Sequence, residues 1–192
     1  MVLKLYGHPL STCTRRVAVV LHEKNVPFEF HSIDLAKGEH KSAEFLEKQP
    51  FGQVPYIDDD GFILYESRAI AYYVAKKWAT QGTPLIPTEL QAEALFQQAS
   101  SIELMNFNDY AEKAVAEMIF KPMYGIPSDK AVFDKLIATL TTKLGVYDKI
   151  LSKQKYLAGN EITLADLYHL PYGYMLPKAG SNVIDTKPNV KR

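Results

Sequence analysis

The chain has 192 residues, 47% hydrophobic and 23% charged, enough to bury a core as one domain or as two small ones. Twenty-two Lys and Arg balance 22 Asp and Glu, which argues against nucleic acid or an anionic membrane as the main partner. A single cysteine excludes an internal disulfide, no apolar leader follows Met1, and no run approaches the roughly 18 apolar residues of a membrane span, so a cytoplasmic α/β protein is expected.

Val2 to Tyr6 reads as a short buried strand, bounded by Gly7 and Pro9. From Ser11 or Thr12 to Asn25, the residues Val17, Val20 and Leu21 make a helical stripe, with Arg15, Arg16, Glu23 and Lys24 on the other face. Phe28 to Leu35 is strand-like. Gly38 then turns the chain into a short charged helix over 39–48. Val54 to Ile57 and Phe62 to Tyr65 flank Asp58-Asp59-Asp60-Gly61, and an Asp-Gly pair between apolar runs is a strong hairpin signal. Ser67 is expected to cap the next helix, whose stripe is Ile70, Tyr73, Val74 and Trp78. The order is β-α-β-α-β-β-α, with the first two strands joined by a helical crossover and therefore parallel.

A first domain over 1–80 and a linker over 81–88 precede an all-helical domain over 89–192. Thr88 caps a long helix with a stripe at Leu95, Ala99, Ile102 and Met105, and Asn106 and Asn108 predict a bend or a wet face. Lys121-Pro122 and Gly125-Ile126-Pro127 break the pattern, and Ser128 caps a helix with the stripe Phe133, Leu136, Ile137, Leu140, Leu144, Tyr147 and Leu151. Thr163 and Asp166 have capping-box spacing, closed by a staple of Ile162 and Leu167. After Leu176-Pro177 the chain is turn-rich.

A hairpin that feeds directly into a helix leaves backbone N–H groups pointing at open space, and such an N-terminus is a ready anion site. Glu66 beside it can hold a cation, so the pair suits the head of an amino acid. On spacing alone Ser11 is a helix cap. Cys13 lies roughly 200° round the helix from Ser11 and reads as a buried, inert thiol. His8, His22, His31 and His169 show no ligand spacing, and no metal is expected.

Val54-Pro55 before the hairpin and Glu66-Ser67-Arg68 after it resemble the glutathione-binding half of cytosolic glutathione transferases. Gly7-His8-Pro9-Leu10-Ser11 and Lys37-Gly38-Glu39-His40-Lys41 are similar to the phi class in particular. The resemblance covers essentially the whole chain. It implies a thioredoxin-like N-terminal domain followed by an all-helical one, and conjugation of glutathione, as co-substrate, to small hydrophobic electrophiles. Reduction of organic hydroperoxides is implied as a second activity.

Ser11 would activate the sulfur. Tyr6, its counterpart in tyrosine-type classes, reads as packing, and Thr12 is a second donor. Pro55 would be cis, exposing the backbone of Val54 to the cysteinyl amide. Glu66 and Ser67 would hold the γ-glutamyl ammonium and carboxylate, while Gln53, His40 and Lys41 reach the glycine carboxylate. Leu10, Leu35 and Ile119, with Met118, Met123 and Tyr174, would line the electrophile side between the domains. Phe51 would key a homodimer. The resemblance also implies a further helical segment after Arg192. A non-catalytic ligand carrier and a structural domain are the alternatives, and an intact Ser11 with complete glutathione motifs favours the enzyme.

Overall fold

The computed structural model describes residues 2–192, which form two compact units meeting in sequence at Ile86 and Pro87. The first runs Leu3–Gly7 (β1), Thr12–Glu23 (α1), Phe28–Ser32 (β2), Ala43–Lys48 (α2), Tyr56–Asp59 (β3), Phe62–Tyr65 (β4) and Ser67–Lys77 (α3). The sheet order is β2-β1-β3-β4, with β1 parallel to β2 and β3 antiparallel to both its neighbours. This is the expected thioredoxin-like order.

The pleat sorts β1 into two faces. Leu3, Leu5 and Gly7 share one face, and a Cβ on Gly7 would come within 2.5 Å of Thr14, so this is the face that α1 covers. On the other face Tyr6 stacks between His31 and Tyr56, its partners in the ladder, with ring centroids 4.5 Å apart on each side. Phe45 of α2 meets Tyr56 edge-on at 5.2 Å. Tyr6 is therefore one layer of an aromatic stack, turned away from α1.

Several boundaries differ from the sequence expectations, each for a local reason. β3 begins at Tyr56 because Pro55 has no N–H to give to a ladder. Asp60 and Gly61 both have positive φ, 56° and 88°, so the hairpin closes on two residues and Asp59 belongs to the strand. β2 stops at Ser32; two residues on, the Asp34 carboxylate accepts from the amides of Ala36 and Lys37 in a tight turn. The charged helix is split at Ser42, which caps α2 by accepting from Phe45 N at 3.2 Å and leaves residues 39–41 as a 3-10 turn.

Arg16 and Lys24 are buried, not on a solvated face, at 1% and 0% exposure. Lys24 reaches the carbonyl of Thr83 at 2.9 Å, and burial lowers its pKa. Thr83 also bonds Glu23, and Gln81 donates to the Lys24 carbonyl at 3.0 Å. Gly82 (φ 60°) lies so close to α1 that a Cβ would come within 2.3 Å of the Glu23 carbonyl. Residues 81–83 are thus bound to the end of α1.

In the second unit Leu90–Ile102 (α4) passes through a π-turn at Glu103–Asn108 into Asp109–Val115 (α5), and a second π-turn at Ala116–Phe120 leads to Lys121–Met123 (α6). Lys130–Leu151 (α7), Leu164–Tyr168 (α8), Leu170–Met175 (α9) and Pro188–Lys191 (α10) complete it. The first π-turn lies where the asparagines predicted a bend. Its wider turn shifts the helical phase. Phe96, Ala99, Glu103 and Phe107 are buried, while Leu95 and Met105 are 49% and 64% exposed and leave the predicted stripe.

The caps also move by one residue. Glu89, not Thr88, accepts from Gln91 and Ala92, and Asp129, not Ser128, accepts from Ala131 and Val132. A carboxylate in the cap position takes both amides at once, which a hydroxyl rarely does. The α7 stripe holds: Phe133, Leu140, Leu144 and Tyr147 are buried with Phe107, Ala111, Ala114, Val115 and Met175, Leu136 and Ile137 pack against that core, and Leu151 is buried as well. The Thr163–Asp166 capping box is present, and Asp166 also accepts from Leu157 N at 3.0 Å. Among the described residues no helix is long and apolar enough to cross a membrane.

Candidate functional site

Ser11 is the N-cap of α1. Its Oγ accepts from Thr14 N at 3.2 Å, and its own N–H closes a turn on the His8 carbonyl at 2.9 Å. Leu10 N donates to His8 Nδ1, and Arg15 Nε donates to the Pro9 carbonyl at 2.8 Å, so the loop that carries Ser11 is pinned at both ends. A hydroxyl has two lone pairs and one proton. The cap occupies a lone pair and leaves the proton to donate. Thr12, the other donor considered, is 4% exposed.

The start of α3 is built differently. Glu66, not Ser67, is in the cap position, with φ 71° and no side-chain cap bond. A glutamate held at positive φ costs on the order of 1–3 kcal/mol, and such strain clusters at ligand sites. Ser67 is the first helical residue and is 6% exposed; its Oγ accepts from Arg16 Nη1 at 2.8 Å. The predicted cap role of Ser67 is replaced by a bond to a buried guanidinium.

Two more segments meet nearby in the chain's topology. Val54–Pro55 is cis, and the β3 ladder starts beyond it at Tyr56, so the backbone of Val54 lies outside the paired residues of that strand. Lys41 Nζ donates to the carbonyls of Phe51 and Gly52 at 3.2 and 2.8 Å, which ties His40 and Lys41 to the loop of Phe51, Gly52 and Gln53. Gly52 has φ 60°, and a Cβ there would come within 2.7 Å of Lys41 Nζ and 2.9 Å of the His40 carbonyl, so only glycine fits. Gln53 is exposed, its N–H held by the Gln49 side chain at 3.1 Å. Nδ1 of His40 is buried and meets no hydrogen-bond partner. Burial, then the neighbouring Lys41, pushes the His40 pKa down and keeps the ring neutral at pH 7. Phe51 is 64% exposed on its loop tip, its ring edge-on to Tyr65 at 6.2 Å.

The apolar candidates fall in separate places. Leu10 is exposed and Leu35 half-buried in the first unit, while Met118 and Ile119 are half-buried against the core of the second. A cavity of about 900 Å³ opens within the second unit beside Phe107, Leu144, Tyr147, His169 and Tyr174; neither Met118 nor Ile119 lines it. Cys13 is half-buried, and its sulfur accepts from Arg16 Nη1 at 3.5 Å, a more polar setting than the inert pocket expected from sequence. No cluster of three or more His, Cys, Asp or Glu able to hold a metal occurs among the described residues.

Arg16 is the site residue that sequence reasoning missed. The signal was available: Arg16 is one turn before Val20, on the buried stripe itself, and its charge alone suggested the solvated face.

Residues 1–76 match the family model "Glutathione S-transferase, N-terminal domain" and residues 113–192 the model "Glutathione S-transferase, C-terminal domain". The chain is 43% identical over 195 residues to glutathione S-transferase PM239X14 of Arabidopsis thaliana, covering 100% of this chain and 89% of that protein. It is 40% identical over 189 residues to glutathione S-transferase F6 of the same plant, covering 98% and 90%. The crystal structure of glutathione transferase F7 from Populus trichocarpa matches with a TM-score of 0.94 at 43% identity, covering 99% of this chain and 90% of that one. The chain belongs to the glutathione S-transferase family. Its plant relatives are of the F type, and within the family it falls in the phi class.

Proposed function

We propose that this chain conjugates glutathione to small hydrophobic electrophiles and that Ser11 stabilises the attacking thiolate. An unperturbed thiol has a pKa of about 8.5, so at neutral pH most glutathione is unreactive. Lowering that value by about two units asks for roughly 2.7 kcal/mol. A hydrogen bond from the Ser11 hydroxyl to sulfur, with the N-terminal field of α1, is of that size. The thiol proton leaves to water. The sulfur then forms a bond to the electrophilic carbon, which either expels a leaving group or takes up a proton elsewhere.

The remaining residues hold the tripeptide. Val54 would pair with the cysteinyl amide beside cis Pro55, Glu66 with the ammonium, Ser67 with the γ-glutamyl carboxylate, and Gln53, His40 and Lys41 with the glycine end. The orphaned Nδ1 of His40 and the strained, uncapped Glu66 fit such a ligand. Leu10, Leu35 and Ile119 are proposed as apolar contacts of the electrophile. A maize glutathione S-transferase I, 33% identical with a TM-score of 0.89, is solved in complex with an atrazine glutathione conjugate, a product of this kind.

The same thiolate can attack the outer oxygen of an organic hydroperoxide, releasing the alcohol, and a second glutathione then yields the disulfide and water; this is the proposed second activity. The protein is further proposed to act in the cytosol as a homodimer keyed by exposed Phe51. Phe51→Asp is expected to give monomer in analytical ultracentrifugation, and a persisting dimer rejects that key.

The observation that carries the reading is the capped Ser11, whose lone pair is used and whose proton is not. Ultraviolet thiolate absorbance of bound glutathione against pH, in wild type and Ser11→Ala, tests it. Thiolate well below pH 8.5 that moves upward in the variant is expected. Tight binding of an unshifted thiol would mean a ligand carrier.

A further inference from the structure

We infer that Arg16 is a positioning residue for the γ-glutamyl carboxylate: its bond to Ser67 turns the single hydroxyl proton of Ser67 outward, toward the anion. The inference rests on the glutathione reading above and assigns a role to a residue that reading does not use.

Arg16 is 1% exposed on α1, Ser67 is 6% exposed at the start of α3, and Nη1 to Oγ is 2.8 Å. A guanidinium has five donors and no acceptor. Oγ must therefore accept in this bond, and the serine proton cannot point at Arg16. A serine inside a helix commonly spends that proton on the carbonyl four residues back. Ser67 opens its helix, and the residue four back, Ile63, is in β4, so that outlet is missing. With those two directions closed, the proton is left for an acceptor beside the uncapped amides of α3. A charged donor on the oxygen also polarises the O–H and makes it a stronger donor to an anion. The chain Arg–N–H to serine oxygen, serine proton to carboxylate, carries a buried positive charge to an anion that Arg16 does not touch. Arg16 Nη1 also reaches Cys13 Sγ at 3.5 Å, which braces the guanidinium against its own helix.

A merely structural brace between α1 and α3 makes a different prediction, and the substrate tells them apart. Steady-state kinetics are measured with glutathione and with 4-aminobutyryl-cysteinyl-glycine, which lacks only the γ-glutamyl carboxylate. Arg16→Met is expected to raise KM for glutathione tenfold or more, by a larger factor than it lowers kcat, and to change KM for the analogue less than twofold. Ser67→Ala should do the same, and the double variant should be no worse than either single one, because both remove one relay. Arg16→Lys, which keeps charge and a donor, should recover part of the loss; it also carries the comparison if Arg16→Met does not fold. Equal losses on both thiols, or additive losses in the double variant, would overturn the inference. A wild-type protein that binds no glutathione in calorimetry would instead overturn the functional reading beneath it.

Discussion

Two serines open two helices of the first unit, and they are held in opposite ways. Ser11 stands before α1 and caps it, its oxygen filled by the neutral amide of Thr14. Ser67 stands inside α3, caps nothing, and has its oxygen filled by a buried guanidinium. Each is left with one proton to give, and the difference is in what stands behind it. A neutral donor leaves the hydroxyl an ordinary one, suited to share a proton with a soft sulfur anion. A charged donor makes it a firm hook for a hard carboxylate. The lesson is that a serine's partner on its lone pair says more about its use than its place in a helix does.

The largest expected effect breaks the first half of this comparison. Ser11→Ala should lower kcat for conjugation roughly ten- to hundredfold, the worth of a hydrogen bond to a charged group, while calorimetric affinity for glutathione survives. An unchanged kcat would pass the role to Thr12. A third helix start serves as the control, because the Thr163–Asp166 box is satisfied internally and faces no proposed ligand. Asp166→Ala should cost about 1–2 kcal/mol in chemical denaturation and leave KM for glutathione as it was.

Glu66→Gly sharpens the second half. It relieves the positive φ, so the apo protein should gain about 1 kcal/mol even after glycine's extra backbone freedom is counted. Glutathione should bind it more weakly, since the ammonium partner is gone. Gain without loss would mean the strain serves no ligand. The smallest effect is on pH. The His40 pKa is depressed in the fold, so the unfolded chain takes up the proton first as pH falls. Its stabilising contribution is full above the ordinary value of 6.5 and fades below it; His40→Gln should flatten that part of the stability profile.

Much of this was legible in the chain. The Asp-Gly turn, the α7 stripe and the Thr163–Asp166 box are local signals, and each appears where spacing put it. What spacing could not show was competition between neighbours. Ser67 looked like a cap because serine caps helices, but Arg16, 51 residues away, claims its oxygen. Glu89 and Asp129 displaced Thr88 and Ser128 because a carboxylate satisfies two amides. Met105 was misread because a periodicity of 3.6 assumes a helix without π-turns, whereas Leu95 lies in the regular helix before the turn, beside the buried Phe96. Lys24 escaped notice because its partner, the Thr83 carbonyl, is backbone and carries no sequence signal.

That last contact reaches beyond packing. Gln81, Gly82 and Thr83 look, by composition, like loose chain that a protease would cut first. Bound to the end of α1 through Glu23, Lys24 and Gln81, they cannot unfold locally into a protease cleft without breaking those bonds, and Leu85 just beyond them is buried. The vulnerable stretch shrinks to the exposed residues Thr88, Glu89 and Leu90, short of the length most proteases need to grip. Limited digestion between the units should therefore be slow, and a nick in that stretch should fall there, releasing a first fragment that keeps its own lock. Lys24→Ala would move that nick back to Gly82.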